Sequence, residues 1–212
     1  MMLTSRQFRK TEHPTPDAPP SFRRHDARRG AVVLEFIIAM PVLFTAFLAI
    51  FEFGFLALVI ENGTHAVDEG AREGAKVWSS SVSFDNNVAG DYDPTGNDDI
   101  ADQIALAVDT VLGVFNLEVR QTGVSDNPGK ANVLVVIERG TSTARRGDNT
   151  LTCNRTGPAP GVNEIVVTLC FPIVDQTAPS TGLGNPVPNW LVPFGFNLKA
   201  YRFEMSARSE LE

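Results

Sequence analysis

Histidine, cysteine and recognisable catalytic signatures are what this chain has least of. Its 212 residues include three histidines and two cysteines. His13 and His25 precede the main apolar run and His65 follows it alone, so no zinc-ligand spacing exists. No nucleophile elbow, phosphate-binding glycine loop or dinucleotide fingerprint occurs along the chain. An enzyme is not expected, nor is an organic cofactor. Basic charge is also short, with 18 Lys and Arg against 25 Asp and Glu, a net −7. The imbalance is uneven. Arg6, Arg9, Lys10, Arg23, Arg24, Arg28 and Arg29 outnumber Glu12, Asp17 and Asp26, so the first thirty residues carry +4 and the rest −11. An acidic remainder excludes nucleic acid as a partner, because phosphate binding needs basic side chains to displace counterions.

Charge of either sign is scarcest between Ala31 and Ile60, where only Glu35 and Glu52 interrupt an apolar block. As a helix this block is about 45 Å long at ~1.5 Å per residue, which exceeds the ~30 Å hydrocarbon core of a bilayer. It reads as a membrane span that projects beyond the lipid. The basic flank belongs on the cytoplasmic side by the positive-inside rule, and the acidic remainder outside.

Residues 1–30 combine basic residues with the proline-rich TEHPTPDAPP and show no apolar period, which predicts a disordered cytoplasmic leader. Residues 31–60 form the transmembrane helix. Its pattern extends into ENGTHAVDEGAREGAKV, where Gly63, Gly70 and Gly74 weaken it, and an end is expected near Trp78. Residues 77–212 are the expected exported domain. In it, Ile100, Ile104, Val108, Val111, Leu112 and Phe115 recur at helical spacing behind Asp98 and Asp99, which suit the helix start. Strand-like runs follow at LEVRQ, ANVLVVIER, EIVVTLCFPIV and the alternating stretch from Tyr201 to Arg208. The fold class is α+β, with one amphipathic helix and three or four mostly antiparallel strands. Before the last strand, prolines and glycines exclude regular structure while Trp190, Leu191, Val192, Phe194 and Phe196 require cover.

Three readings compete at RRGAVVLEFIIAMP, residues 28–41. A cleaved signal peptide conflicts with the charge of Glu35 inside the run. A plain single-span anchor tolerating two glutamates stays open. The third reading is cleavage after Gly30, which makes Ala31 the amino terminus and Glu35 the fifth mature residue. A carboxylate within an apolar surface costs ~2.5–3.5 kcal/mol on insertion scales and becomes tolerable beside a positive charge. The free amine that such a cut creates is a candidate for that charge.

The order basic leader, Gly30, four mostly apolar residues and Glu35 resembles the type IV prepilin cleavage site. Glu35-Phe36, Pro41, Glu52-Phe53-Gly54 and Ala71-Arg72-Glu73-Gly74-Ala75 further resemble the TadE-like family of the tight-adherence (Tad/Flp) pilus machinery, over about residues 29–76. Phe36 departs from the related major Flp pilins, which carry tyrosine there. The resemblance implies a pilin-like, single-pass minor pilin or pseudopilin of the bacterial inner membrane, cut by a prepilin peptidase. It also implies partners among other pilin subunits and the assembly machinery. Pro41 predicts a kink or hinge. Glu52, about 25 Å along the helix from Glu35, cannot serve the same amine and is either an intramembrane functional carboxylate or an interfacial one. The competing class is a bitopic envelope protein whose exported adhesin or ligand-binding module never enters a fibre.

Two further expectations concern the exported part. Cys153 and Cys170 are expected to form a disulfide in an oxidising compartment. Within DYDPTGNDDIAD, residues 91–102, the oxygens of Asp91, Asp93, Thr95, Asn97, Asp99 and Asp102 follow an EF-hand-like order around Gly96, which suggests weak Ca²⁺ binding. The competing reading is a solvated turn whose last aspartates cap the amphipathic helix.

Overall fold

A computed structural model describes residues 25–77, 92–94, 99–120, 130–155, 157–174, 186–199 and 201–211. The first helix, α1 (His25–Val77), continues through Pro41. It begins before the expected boundary at Ala31, because His25–Gly30 offers alanine and arginines with no proline to stop a helix. The chain divides into two compact units, Met1–Leu43 and Phe44–Glu212. In the first, the described residues from Gly30 to Leu43 are exposed except for the half-buried Ala39.

The second unit holds all remaining elements. Helix α2 (Ile100–Leu112) starts where Asp99 Oδ1 accepts the Ala101 N–H at 2.9 Å, satisfying one donor that the first turn leaves without a partner. It ends in a single 3₁₀ turn, Gly113–Phe115, after which Asn116 adopts φ 56° and starts β1 (Leu117–Val119). The other strands are β2 (Ala131–Arg139), β3 (Ser142–Gly147), β4 (Glu164–Pro172) and β5 (Arg202–Glu210). Among the described residues the sheet thus has five strands where three or four were expected. Their order is β1-β2-β4-β5, with β3 also on β2. β1 runs parallel to the start of β2, Leu117 opposite Ala131, and β3 pairs antiparallel with the rest of that edge, Arg146 opposite Val135. A two-residue turn joins β2 to β3, and Gly140 supplies its positive φ of 54°.

The register assigns the two faces. In β4, Ile165, Val167, Leu169 and Phe171 join the main core with Val133, Val135 and Ile137 of β2. Val166, Thr168 and Cys170 point the other way and are also buried, which explains why EIVVTLCFP lacks a polar alternation. The outer residues of α1 complete the main core through Val59, Ala66, Val67 and Ala71. Three of its glycines, Gly63, Gly70 and Gly74, belong to the same face. A Cβ would come within 2.7 Å of Met205 at Gly63 and 2.6 Å of Val108 at Gly70, and would collide with Ile165 at Gly74. These glycines weaken the isolated helix but let it approach the sheet and α2 closely. The last turns of α1 are therefore part of the core.

The opposite face carries a smaller cluster of Leu134, Val136 and Cys170, covered by Leu151 and Cys153. Cys153 and Cys170, 17 positions apart in the sequence, are joined by a disulfide with Cα atoms 5.9 Å apart. In the chain-entropy account a loop of this length contributes ~3 kcal/mol. Reduction, or Cys153→Ser with Cys170→Ser, should lower the unfolding free energy by about that amount, read from denaturant melts with and without reductant. Rapid thiol labelling of both cysteines in the untreated folded chain would show that no bridge forms.

Candidate functional site

The apolar run presents its side chains outward. From Val32 to Phe51, Val33, Phe36, Ile38, Val42, Phe47 and Ile50 are more than half exposed. α1 is the one helix among the described residues long and apolar enough to cross a membrane, with a mean hydropathy of 2.4 in its most apolar stretch. Gly30 and Ala31 are exposed, and an added Cβ at Gly30 would meet nothing. Glu35 is exposed on the same stretch, as is Pro41. No hydrogen bond or ion pair engages the Glu35 carboxylate among the described residues.

Glu52 has a different fate. It is fully buried. One carboxylate oxygen, Oε2, accepts the backbone N–H of Trp190 at 2.8 Å and of Leu191 at 3.0 Å. Within the chain Glu52 acts as a cap on the segment before β5. That segment makes a 3₁₀ turn, Val192–Phe194, closed by Gly195 at φ 87°, and its first N–H groups have no partner inside the turn. A carboxylate supplies one and complements the positive end of the turn. Asn189 donates to Asn197 Oδ1 at 3.1 Å, while Asn197 Oδ1 also accepts the Lys199 N–H, so the segment is closed on itself. The other Glu52 oxygen, Oε1, is buried with no hydrogen-bond partner among the described residues.

Around this cap lies an aromatic group. Phe53 meets Phe196 with ring centroids 5.6 Å apart, and Phe55 meets Trp190 edge-on at 6.2 Å. Leu191 and Leu198 turn inward, whereas Trp190, Val192, Phe194 and Phe196 remain exposed. The cover these side chains require is thus only half supplied within the chain. Sequence reasoning named Glu52 and this segment separately, and nothing local could pair positions 138 residues apart.

The acidic segment before α2 is organised by an arginine. Arg146 of β3 is buried, its Nε donating to Asp102 and its Nη2 to Asp99. Asp99 also caps α2. Two of the six proposed calcium ligands are therefore engaged by a guanidinium. Asp91, Thr95 and Asn97 lie outside the described residues. Burial raises the Asp102 carboxyl above the usual range against the opposing pull of Arg146, and likewise raises Asp109, which accepts the Val119 N–H at 2.7 Å. Burial also raises the Tyr92 phenol, facing Asp109, Asp102 and Asp93.

On the sheet's other face, Val136, Glu138, Thr143, Arg145, Arg155 and Thr168 line an open depression of about 320 Å³. Arg155 Nε donates to Glu138 Oε2 at 2.6 Å there.

The AREGA motif resolves into two faces. Ala71, Gly74 and Ala75 are buried, whereas Arg72 is exposed and Glu73 pairs with Lys76 at 3.0 Å. No curated protein and no solved structure matches this chain. The family described as TadE-like protein does match, over residues 30–75, from the glycine of the cleavage-like site to the last buried alanine of α1. The chain carries a TadE-like segment, which implies association with a membrane and with pilus machinery.

Proposed function

We propose that this chain is a membrane-anchored minor pilin or pseudopilin-like structural component of a Tad-type pilus. In this reading a prepilin peptidase cuts after Gly30, and Ala31 becomes the amino terminus. The C-terminal domain lies outside the bacterial inner membrane. The observation that carries the reading is the contrast between two glutamates in one apolar helix. Glu52 spends its charge inside the chain on Trp190 and Leu191. Glu35 sits exposed among apolar side chains, where an amine from a neighbouring subunit offsets a cost of ~2.5–3.5 kcal/mol.

Terminal sequencing and intact mass of the membrane-extracted chain provide the test. The expected mature form starts at Ala31, and one retaining Arg28 and Arg29 would sink the proposal. Glu35→Ala should be processed like the parent, because the cut is read mainly at Gly30, yet incorporate poorly into fibres. Normal incorporation of Glu35→Ala would remove the role given to its carboxylate. The alternative, a bitopic protein with a ligand-binding module, draws on the depression around Arg145, Arg155 and Glu138. Normal piliation in cells lacking the chain would favour it.

A further inference from the structure

We propose that the segment 186–199 is a second membrane contact, an aromatic foot that rests in the lipid interface beside the point where α1 leaves the bilayer. The proposal rests on reading α1 as a bilayer span, and goes beyond it by assigning the C-terminal domain a lipid-binding surface of its own.

Position along the helix is the first argument. From Ala31 to Phe51 the chain has only Glu35 as a charge, and that stretch rises about 31 Å at ~1.5 Å per residue, matching the ~30 Å hydrocarbon core. Phe53 and Phe55 then fall at the headgroup level, and they are the helix residues whose rings meet Phe196 and Trp190. The segment's exposed apolar side chains therefore continue the exposed apolar surface of the span. Trp190 is 45% exposed, Phe194 53% and Phe196 39%.

Composition is the second argument. Residues 186–199, PVPNWLVPFGFNLK, contain no acidic residue and one charge, Lys199, although the chain after Gly30 is strongly acidic. Tryptophan and lysine are characteristic of membrane interfaces, and basic charge suits anionic headgroups.

Backbone satisfaction is the third. A loop rests in a poorly hydrated layer at lower cost the more of its N–H groups have partners. Here Pro188 and Pro193 have no N–H to place. Trp190 and Leu191 donate to Glu52, and Phe194, Gly195 and Phe196 donate within the turn. Leu198 and Lys199 donate to Asn189 and Asn197 side chains. Glu52 is thus a positioning residue that holds the foot against the helix without itself meeting lipid.

Depth-dependent fluorescence quenching tests this in the full chain reconstituted into vesicles of zwitterionic and anionic phospholipid. Trp78→Phe leaves Trp190 as the only tryptophan. Lipids brominated near the carbonyl should quench Trp190 more strongly than lipids brominated near the methyl end, and aqueous iodide should quench it weakly. A companion variant, Trp78→Phe with Trp190→Phe and Phe44→Trp, reports on the span itself. If the Phe44→Trp probe is quenched by bromolipid while Trp190 is reached by iodide, the foot is wrong and the anchor stands. If neither tryptophan is quenched by bromolipid, the anchor reading has failed as well. Trp190 shielded from both quenchers would mean cover by a second protein surface, which also overturns the proposal. Glu52→Ala should release the segment, with loss of bromolipid quenching and emission shifted to longer wavelength, while Glu52→Gln, which keeps an acceptor oxygen, should restore part of the quenching. Unchanged quenching in Glu52→Ala would remove the positioning role.

Discussion

Arg146→Ala should lower the stability of the C-terminal domain by about 3–5 kcal/mol, the cost of leaving buried charge without its counter-charge. That is a large share of the 5–15 kcal/mol typical of a whole domain. The arginine is buried and holds both Asp99 and Asp102, so its removal strands two carboxylates at the start of α2. Denaturant melts of the full chain in detergent provide the readout. Arg146→Met combined with Asp99→Asn and Asp102→Asn should recover most of the loss, because no charge is then stranded and Asn still caps the helix. A loss below about 1 kcal/mol for Arg146→Ala would place the pair among exposed ion pairs of little worth.

The pH dependence has a definite sign. Burial already raises Asp102 in the folded state against the opposing effect of Arg146. A carboxyl whose folded pKa lies above its unfolded value binds its proton more tightly when folded, so acidification through the folded pKa adds stability from that group. Removing Arg146 removes the pull that lowers Asp102 and widens this window. The deficit of Arg146→Ala should accordingly shrink as pH falls toward the unfolded carboxylate range of about 4.

This ion pair also shows where sequence reading stopped. β2, β4 and β5 were legible because ANVLVVIER, EIVVTLCFP and the alternation around Phe203, Met205 and Ala207 state their own burial. α2 was legible from its spacing and its aspartate cap. β3 was not, since STARRG reads as a polar turn. It becomes a strand because Arg146 finds its charge partners 44 and 47 residues away. The same distance problem hid the partner of Glu52. Parallel pairing of β1 was equally invisible, because LEVRQ carries no mark of its neighbour's direction.

The small residues of α1 were visible as a pattern but not as core, and their packing carries the second large effect. A fragment comprising residues 77–212 should show no cooperative melt, whereas one starting at Phe44 and kept in detergent should unfold cooperatively. Without α1, Ile104, Val108, Ile165, Val167 and Phe171 lose the helix packed against them at Gly63, Gly70 and Gly74. Full exposure of such a side chain costs ~1.5–3 kcal/mol, so half-exposure of five costs roughly 4–8 kcal/mol. This is comparable with the whole stability of a domain. A point variant gives the graded form of the same test. Gly70→Leu should gain up to about 1 kcal/mol in helix propensity yet lose more, because even its Cβ lies 2.6 Å from the Val108 methyl and 3.3 Å from Val167. Both valines are buried and stiff at χ1, so the helix must be displaced, and overpacking of this kind costs typically 1–3 kcal/mol or more. Val108→Ala in the same chain should return part of the loss, a coupling that unfolding free energies of the two single variants and the double variant will measure. A cooperatively folding 77–212 fragment, together with a neutral Gly70→Leu, would make α1 a spacer attached to an independent domain. The expected result instead makes the outer turns of α1 part of the domain core, so that displacing those turns acts directly on the sheet.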